Sequence, residues 1–149
     1  MAESTIVNTI GFTKTSAQRF FDRLAAAGVR TLLDVRLHNK SQLAGFAKAE
    51  DLAYFLKKIG NISYQHMPIL APEEEMLSEY RKGNTTWEVY AKKFTDLMEQ
   101  RKIESHIAPS FLNDTCLLCS EDTPHHCHRR LVCEYLNQRW NNALLVRHL

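Results

Sequence analysis

The densest group of reactive side chains lies in one short segment near the C-terminal end of the chain. Leu117–Glu121 has the pattern of an apolar strand that ends in polar groups, and Cys127–Arg130 opens an amphipathic helix. Open α/β sheets build ligand sites in this way, at the carboxyl ends of their strands. Because the positive end of a helix dipole favours negative charge, the segment predicts a site for a small anion.

Four side chains are candidates for catalysis at such a site. The helix dipole and Arg129 would lower the thiol pKa of Cys127, which makes it a candidate nucleophile or redox-sensitive thiolate. Cys119, at the predicted strand end, has a similar chemistry, although free cysteine is also an ordinary small core residue. Glu121 and His66 are candidates for the general acid or base, since both would lie at the same edge of the sheet.

Four cysteines, at positions 116, 119, 127 and 133, are crowded into one stretch of sequence. Short local loops cannot tie distant parts of a chain together, so we expect reduced thiols. Cys116 and Cys119 form a C-x-x-C motif, but within a strand they would point to opposite faces, unlike a thioredoxin pair. Zinc is an alternative with ligands from Cys119, Cys127 and the histidines at 125, 126 and 128, but no second ligand pair has familiar spacing, so we assign no metal.

Strand and helix patterns alternate along the whole sequence. Strands are predicted at Thr5–Phe12, Thr31–Leu37, Ile62–Met67, Thr115–Cys119 and Ala143–Val146. Helices are predicted after capping boxes at Thr15/Gln18 and Thr85/Glu88, around Leu52–Ile59, over Pro72–Lys82 and over His128–Trp140. Parallel neighbours need crossover helices, so we predict one α/β domain over residues 1–149, with a largely parallel five-stranded sheet, helices on both faces and Rossmann-like or flavodoxin-like layering.

A parallel sheet brings the residues that close its strands to one edge, although they are far apart in sequence. Hydroxyls, a glycine turn, an arginine and a helix N-terminus would supply donors and positive potential to one small volume. The predicted ligand-binding residues are Thr9, Gly11, Thr13, Asp34, Arg36, Ser120, His128 and Arg129. An alternative for Asp34 and Arg36 is that they pair with each other or with a neighbouring strand and only hold the sheet edge together.

Composition and missing motifs exclude several classes of protein. A formal net charge of +2, from 19 basic and 17 acidic residues, gives no general attraction to nucleic acid or membrane. The N-terminal residues have no signal-peptide pattern and no apolar run is long enough to span a bilayer, so we expect a cytoplasmic protein. A serine hydrolase elbow, a phosphate loop and a dinucleotide fingerprint are absent, and no cofactor is indicated.

Several motifs together resemble one known family. These motifs are Thr9–Thr13, Asp34-Val35-Arg36, Tyr64–Pro68, Leu118–Glu121 and Cys127–Arg130. Together they resemble the bacterial and archaeal Domain of Unknown Function 488 family over nearly the whole chain. The resemblance implies a compact α/β domain with these motifs at one sheet edge. It implies no activity, and the loop from Arg36 to Phe46 differs from the more basic, proline-containing loop of many members.

The leading hypothesis is an enzyme, or a ligand-binding domain descended from one, that holds a nucleotide or phosphorylated metabolite. Arg36 and Arg129 would clamp the anion, and replacing Arg36 with alanine should then abolish binding and leave the fold intact. A second hypothesis is a nucleic-acid-binding accessory protein that uses Lys14, Arg19, Lys40, Lys48 and the arginines near position 129. A third is a metal- or thiol-based sensing module. Oligomeric state and reaction are not indicated.

Overall fold

A computed structural model describes residues 5–39, 45–120 and 126–149 of the chain. Its centre is a sheet of five strands that all pair in parallel, in the order β3-β2-β4-β1-β5. The strands are β1 (Thr5–Gly11), β2 (Thr31–Asp34), β3 (Ser63–His66), β4 (Thr115–Cys119) and β5 (Leu144–His148). The predicted single α/β domain with a five-stranded parallel sheet is therefore confirmed.

Helices connect the strands and cover both faces of the sheet. They are α1 (Ala17–Ala26), α2 (Ala49–Gly60), α3 (Glu74–Arg81), α4 (Trp87–Arg101) and α5 (His128–Arg139). One core contains buried residues of α1 and α2, and the opposite core contains buried residues of α4 and α5. Cys116 belongs to the first core and Cys119 to the second, which confirms that this C-x-x-C pair points to opposite faces.

The helix caps differ from the sequence prediction by one residue. Ser16, not Thr15, is the N-cap of α1, and its hydroxyl accepts a hydrogen bond from the Arg19 backbone N–H. Thr86, not Thr85, is the N-cap of α4, and its hydroxyl accepts the equivalent hydrogen bond. A threonine followed by a second hydroxyl residue offers two possible caps, and only the direction of the incoming chain selects between them.

Strand β2 ends at Asp34, three residues before the predicted end at Leu37. The Asp34 carboxylate accepts a hydrogen bond from the Arg36 backbone N–H at 3.1 Å. This short-range bond turns the chain out of the sheet, as aspartate side chains commonly do. Strand β5, in contrast, is longer at its carboxyl end than predicted, and extends to His148 instead of ending at Val146.

The topology creates a crevice between the carboxyl ends of β1 and β4. From β1 the chain crosses to β2 through α1, and from β4 it crosses to β5 on the other side through α5. Gly11 and Cys119 are register partners at the ends of these two strands. Ligands in open α/β sheets bind where the connections diverge in this way, so this crevice is the expected position of a site.

Candidate functional site

A cavity of about 480 Å³ opens at the carboxyl edge of the sheet. Its floor comes from the residues that follow β1, β2 and β4 and from the start of α5, and one wall comes from α3 and α4. The Thr13 backbone N–H donates to the Ser120 carbonyl at 3.1 Å and joins two of the floor loops. The lining residues are Thr13, Arg36, Leu37, His38, Leu77, Tyr80, Arg81, Tyr90, Cys119, Ser120, His126, Cys127 and His128.

Asp34 and Arg36 form a buried ion pair beneath the cavity. Arg36 Nε lies 2.8 Å from Asp34 Oδ1, and Arg36 Nη2 lies 2.7 Å from Asp34 Oδ2. The Tyr64 hydroxyl donates to the same carboxylate at 2.6 Å. Burial and this hydrogen bond raise the pKa of Tyr64 to about 12, so the phenol stays protonated at neutral pH. The two charges thus pair with each other, as the alternative interpretation of the sequence had it.

The two terminal nitrogens of the Arg36 guanidinium differ in their hydrogen bonds. Nη2 donates to the Ala47 carbonyl at 2.8 Å, and the guanidinium lies 5.1 Å from the centre of the Phe12 ring. Nη1 is buried and has no hydrogen-bond partner among the described residues. Because an unpaired buried donor is costly, this N–H is the atom of Arg36, a cavity-lining residue, that lacks an acceptor.

Cys119 and Cys127 are joined by a disulfide bond. The expectation of reduced thiols is therefore wrong for this pair and holds only for Cys116 and Cys133. The strand end and the helix start lie eight positions apart in sequence, but the fold of the crevice brings their side chains together. Arg129 Nη1 lies 3.1 Å from the sulfur of Cys119 and 3.7 Å from the sulfur of Cys127.

His128 is neutral at physiological pH and has a defined tautomer. Burial, together with the nearby charges of Arg129 and Arg81, lowers its pKa to about 4. Its Nε2 lies 2.6 Å from the Val35 carbonyl, which only accepts, so Nε2 carries the hydrogen. Nδ1 therefore carries the electron pair of the ring and is the nitrogen that can accept a hydrogen bond.

The wall formed by α3 and α4 was not predicted from the sequence. Tyr80 and Tyr90 stack with ring centres 4.8 Å apart and both line the cavity. His126 also lines it and stacks on Trp87 at 4.9 Å. Arg81, in the last turn of α3, adds a positive charge at the rim. No local signal marks these residues, because helical aromatic stripes have the same pattern whether they face a core or a cavity.

The Cys119, Cys127 and His128 side chains also have a geometry that a metal could use. Their ligand atoms lie within 4.8 Å of one another. Both sulfurs are already bonded, however, and Arg129 directs a positive charge at them. His125, another ligand of the zinc alternative, lies outside the described residues, and His126 is engaged with Trp87.

A family model described as a domain of unknown function, DUF488, matches residues 16–136. The match covers most of the chain and contains Arg36, the disulfide and His128. The chain belongs to the DUF488 family. Neither the curated proteins nor the solved structures contain a match to it. None of the described helices is long and apolar enough to cross a membrane.

The DUF488 domain brings some predicted site residues to the cavity and leaves others behind it. Thr13, Arg36, Ser120, Cys119, Cys127 and His128 line it. Thr9 is buried in the sheet and its hydroxyl bonds His148 on the neighbouring strand β5, and Gly11 pairs with Cys119 along the strands. His66 Nε2 contacts the Arg36 carbonyl at 2.7 Å, behind the cavity floor. Glu121 lies outside the described residues.

Arg129 differs most from its predicted role. Its side chain is fully buried, so it does not reach the cavity as a clamp for an anion or the surface as a contact for nucleic acid phosphates. It acts on the two sulfurs instead. Of the lysines suggested for nucleic acid binding, Lys14 is exposed and Lys40 lies outside the described residues.

Proposed function

We propose that this DUF488 domain binds a small anionic molecule, a nucleotide or a phosphorylated metabolite, in the cavity at the carboxyl edge of the sheet. The observation that carries the proposal is a cavity whose described lining includes two arginines, Arg36 and Arg81, and no carboxylate. Nη1 of Arg36 is buried and has no hydrogen-bond partner among the described residues, so a phosphate or carboxylate oxygen that met it after a shift of the side chain would form a charge-assisted hydrogen bond.

The charges around the cavity support an anion. None of the described residues that line the cavity is a carboxylate. The charge of Arg36 is paired with Asp34, and His38 contacts the Glu74 carboxylate. Arg81 therefore supplies the positive charge at the rim that a small anion would contact, although the net charge of the chain is only +2.

The shape of the wall supports a ligand with a planar ring. Tyr80 and Tyr90 both line the cavity, and the buried Tyr90 ring stacks on Tyr80 and on Phe94. Bases stack on aromatic side chains with a contribution of about 1–3 kcal/mol each. An anionic group at Arg81 and a ring against Tyr80 together favour a nucleotide over an inorganic ion.

Catalytic roles follow as part of the proposal. His128 would accept a hydrogen bond from the ligand at Nδ1, because a pKa of about 4 makes it a weak base at neutral pH. Cys127 is a nucleophile only after its bond to Cys119 has been reduced. His66 supports the Arg36 backbone and is a positioning residue. Glu121 remains a candidate acid because it follows Ser120 at the cavity.

The test is a thermal-shift comparison of AMP and ribose 5-phosphate with the uncharged adenosine and ribose. Ligand at 100 times its dissociation constant should stabilise the protein by about 2.7 kcal/mol. Arg81→Ala should weaken binding of the phosphorylated compounds, whereas Lys82→Ala, next in sequence, exposed and not in the cavity lining, should not. Equal shifts with the neutral compounds, or equal effects of the two variants, would contradict the proposal.

A further inference from the structure

We propose that Cys119 and Cys127 are a redox-active pair that exchanges two electrons with small anionic thiols entering the cavity. In its choice of an anionic partner this inference rests on the proposed function. The pair itself is identified from three separate features: its position in the cavity lining, the arginine directed at both sulfurs, and the contrast with the other two cysteines.

The first feature is access. Both sulfur-bearing residues line the cavity, although each is at most 3% exposed to bulk solvent. A reagent that enters the cavity therefore meets the bond in a lining that also contains Arg36 and Arg81. Most structural disulfides join elements to hold a fold together, whereas this one closes a local loop and faces an open space.

The second feature is the Arg129 guanidinium. It stabilises negative charge on sulfur, and its Nη1 is 0.6 Å nearer to Cys119 (3.1 Å) than to Cys127 (3.7 Å). The thiol that leaves more readily in exchange is the one with the better stabilised thiolate. The dipole of α5 also acts on Cys127, its N-cap residue, but the charged contact from Arg129 is shorter to Cys119. We therefore assign Cys119 as the leaving group and Cys127 as the sulfur that is attacked.

The third feature is that the remaining cysteines are unsuited to exchange. Cys116 and Cys133 are buried and do not line the cavity. Burial raises the pKa of Cys133 to about 12 and the pKa of Cys116 well above its usual value. Thiol–disulfide exchange needs a thiolate, and at neutral pH both of these side chains stay protonated. They therefore serve as internal controls.

The reaction has two steps. A small thiolate attacks the Cys127 sulfur, the Cys119–Cys127 bond breaks, and its electron pair leaves on Cys119 beside Arg129. A second small thiolate then attacks the small-molecule sulfur of the mixed disulfide and releases Cys127. Two small thiols are oxidised to one disulfide, the protein pair gains two electrons, and the two protons of the small thiols pass to the cysteines. The reverse direction reduces a small anionic disulfide.

The experiment follows reduction of the oxidised wild-type protein by 3-mercaptopropionate, which is anionic, and by 2-mercaptoethanol, which is neutral. Rates are divided by the thiolate concentration of each reagent and compared with rates for the same protein unfolded in urea. N-ethylmaleimide stops the reaction, and mass spectrometry locates the adducts. The preference is the ratio of the normalised rate of 3-mercaptopropionate to that of 2-mercaptoethanol. We expect this ratio to be at least about tenfold larger for the folded protein than for the unfolded protein, and to decrease as the salt concentration rises.

The adducts identify the order of events. The trapped intermediate should carry mercaptopropionate on Cys127 and maleimide on Cys119, while Cys116 and Cys133 stay unmodified until the protein unfolds. The opposite labelling would overturn the assignment of Cys119 as leaving group. Arg81→Ala should slow only the anionic thiol, and Lys82→Ala should slow neither.

Failure of this inference and failure of the proposed function give different results. If neither thiol reduces the folded protein while both reduce the unfolded one, the redox inference is overturned and the anion site is unaffected. If both thiols reduce it without a charge preference, the anionic partner is overturned. Purified protein with a bound zinc ion and free thiols at positions 119 and 127 would overturn the redox inference in favour of a metal site.

Discussion

The Arg36→Ala substitution should destabilise the domain strongly, contrary to the expectation from sequence that it would leave the fold intact. The side chain is 3% exposed and its partner Asp34 is fully buried. Removal of the guanidinium leaves a buried carboxylate without its counter-charge, and loss of one partner of a buried pair costs about 3–5 kcal/mol. For a domain of this size the melting temperature should fall by roughly 10 °C or more.

The double variant Asp34→Asn with Arg36→Met is the matched control for this prediction. It removes both charges, keeps an oxygen that can accept from the Tyr64 hydroxyl, and fills the space of the arginine stem. Replacement of a buried ion pair by neutral groups of similar volume is often neutral or stabilising. The double variant should therefore be clearly more stable than Arg36→Ala.

Urea denaturation followed by circular dichroism measures the free energies of unfolding of both variants. The reasoning is refuted if the free energy of unfolding of Arg36→Ala lies within about 1 kcal/mol of the wild-type value, because a loss of that size is typical of exposed ion pairs. It is also refuted if the double variant loses as much stability as the single one, because the cost would then come from lost packing and not from an uncompensated charge. Loss of ligand binding in Arg36→Ala is interpretable only after this measurement.

Three further predictions concern burial and backbone conformation. The pKa of His128 is about 4 in the folded protein and near 6.5 when unfolded, so its contribution to stability is present above pH 6.5 and is lost as the pH falls toward 4. The free energy of unfolding of wild type should fall by about 2 kcal/mol more than that of His128→Gln between pH 7 and pH 5, and equal pH dependence would refute this. Tyr64→Phe should cost about 1–3 kcal/mol in chemical denaturation because the Asp34 carboxylate loses a donor, whereas Tyr54→Phe, at an exposed ring, should change little. Lys102→Gly should raise the melting temperature, since φ is +53° at Lys102 and glycine removes a penalty of about 1 kcal/mol; a lower melting temperature would show that the lysine side chain stabilises this cap.

The alternation of elements follows from the sequence because local patterns carry it. The apolar residues of β4 predict a strand with the bounds that the structure has, and His128 is the first residue of α5 as predicted. Side-chain periodicity and glycine or polar stops depend on neighbours a few residues away, so they are visible in sequence. The convergence of strand ends at one edge then follows from parallel pairing.

The partners of the site residues were decided by tertiary structure. Asp34 could serve a ligand or Arg36, and only the turn after β2 brings the two together with Tyr64. Arg129 could face a ligand or the core, and the rotation of α5 against the sheet directs it at the sulfurs. The Cys119–Cys127 bond depends on the crevice between β1 and β4, and the tyrosine wall depends on the packing of α3 and α4. Sequence specifies which groups reach the sheet edge, because strand and helix periodicity is local. Which of those groups pair with each other is set by contacts between residues far apart in the chain, and only the folded domain contains those contacts.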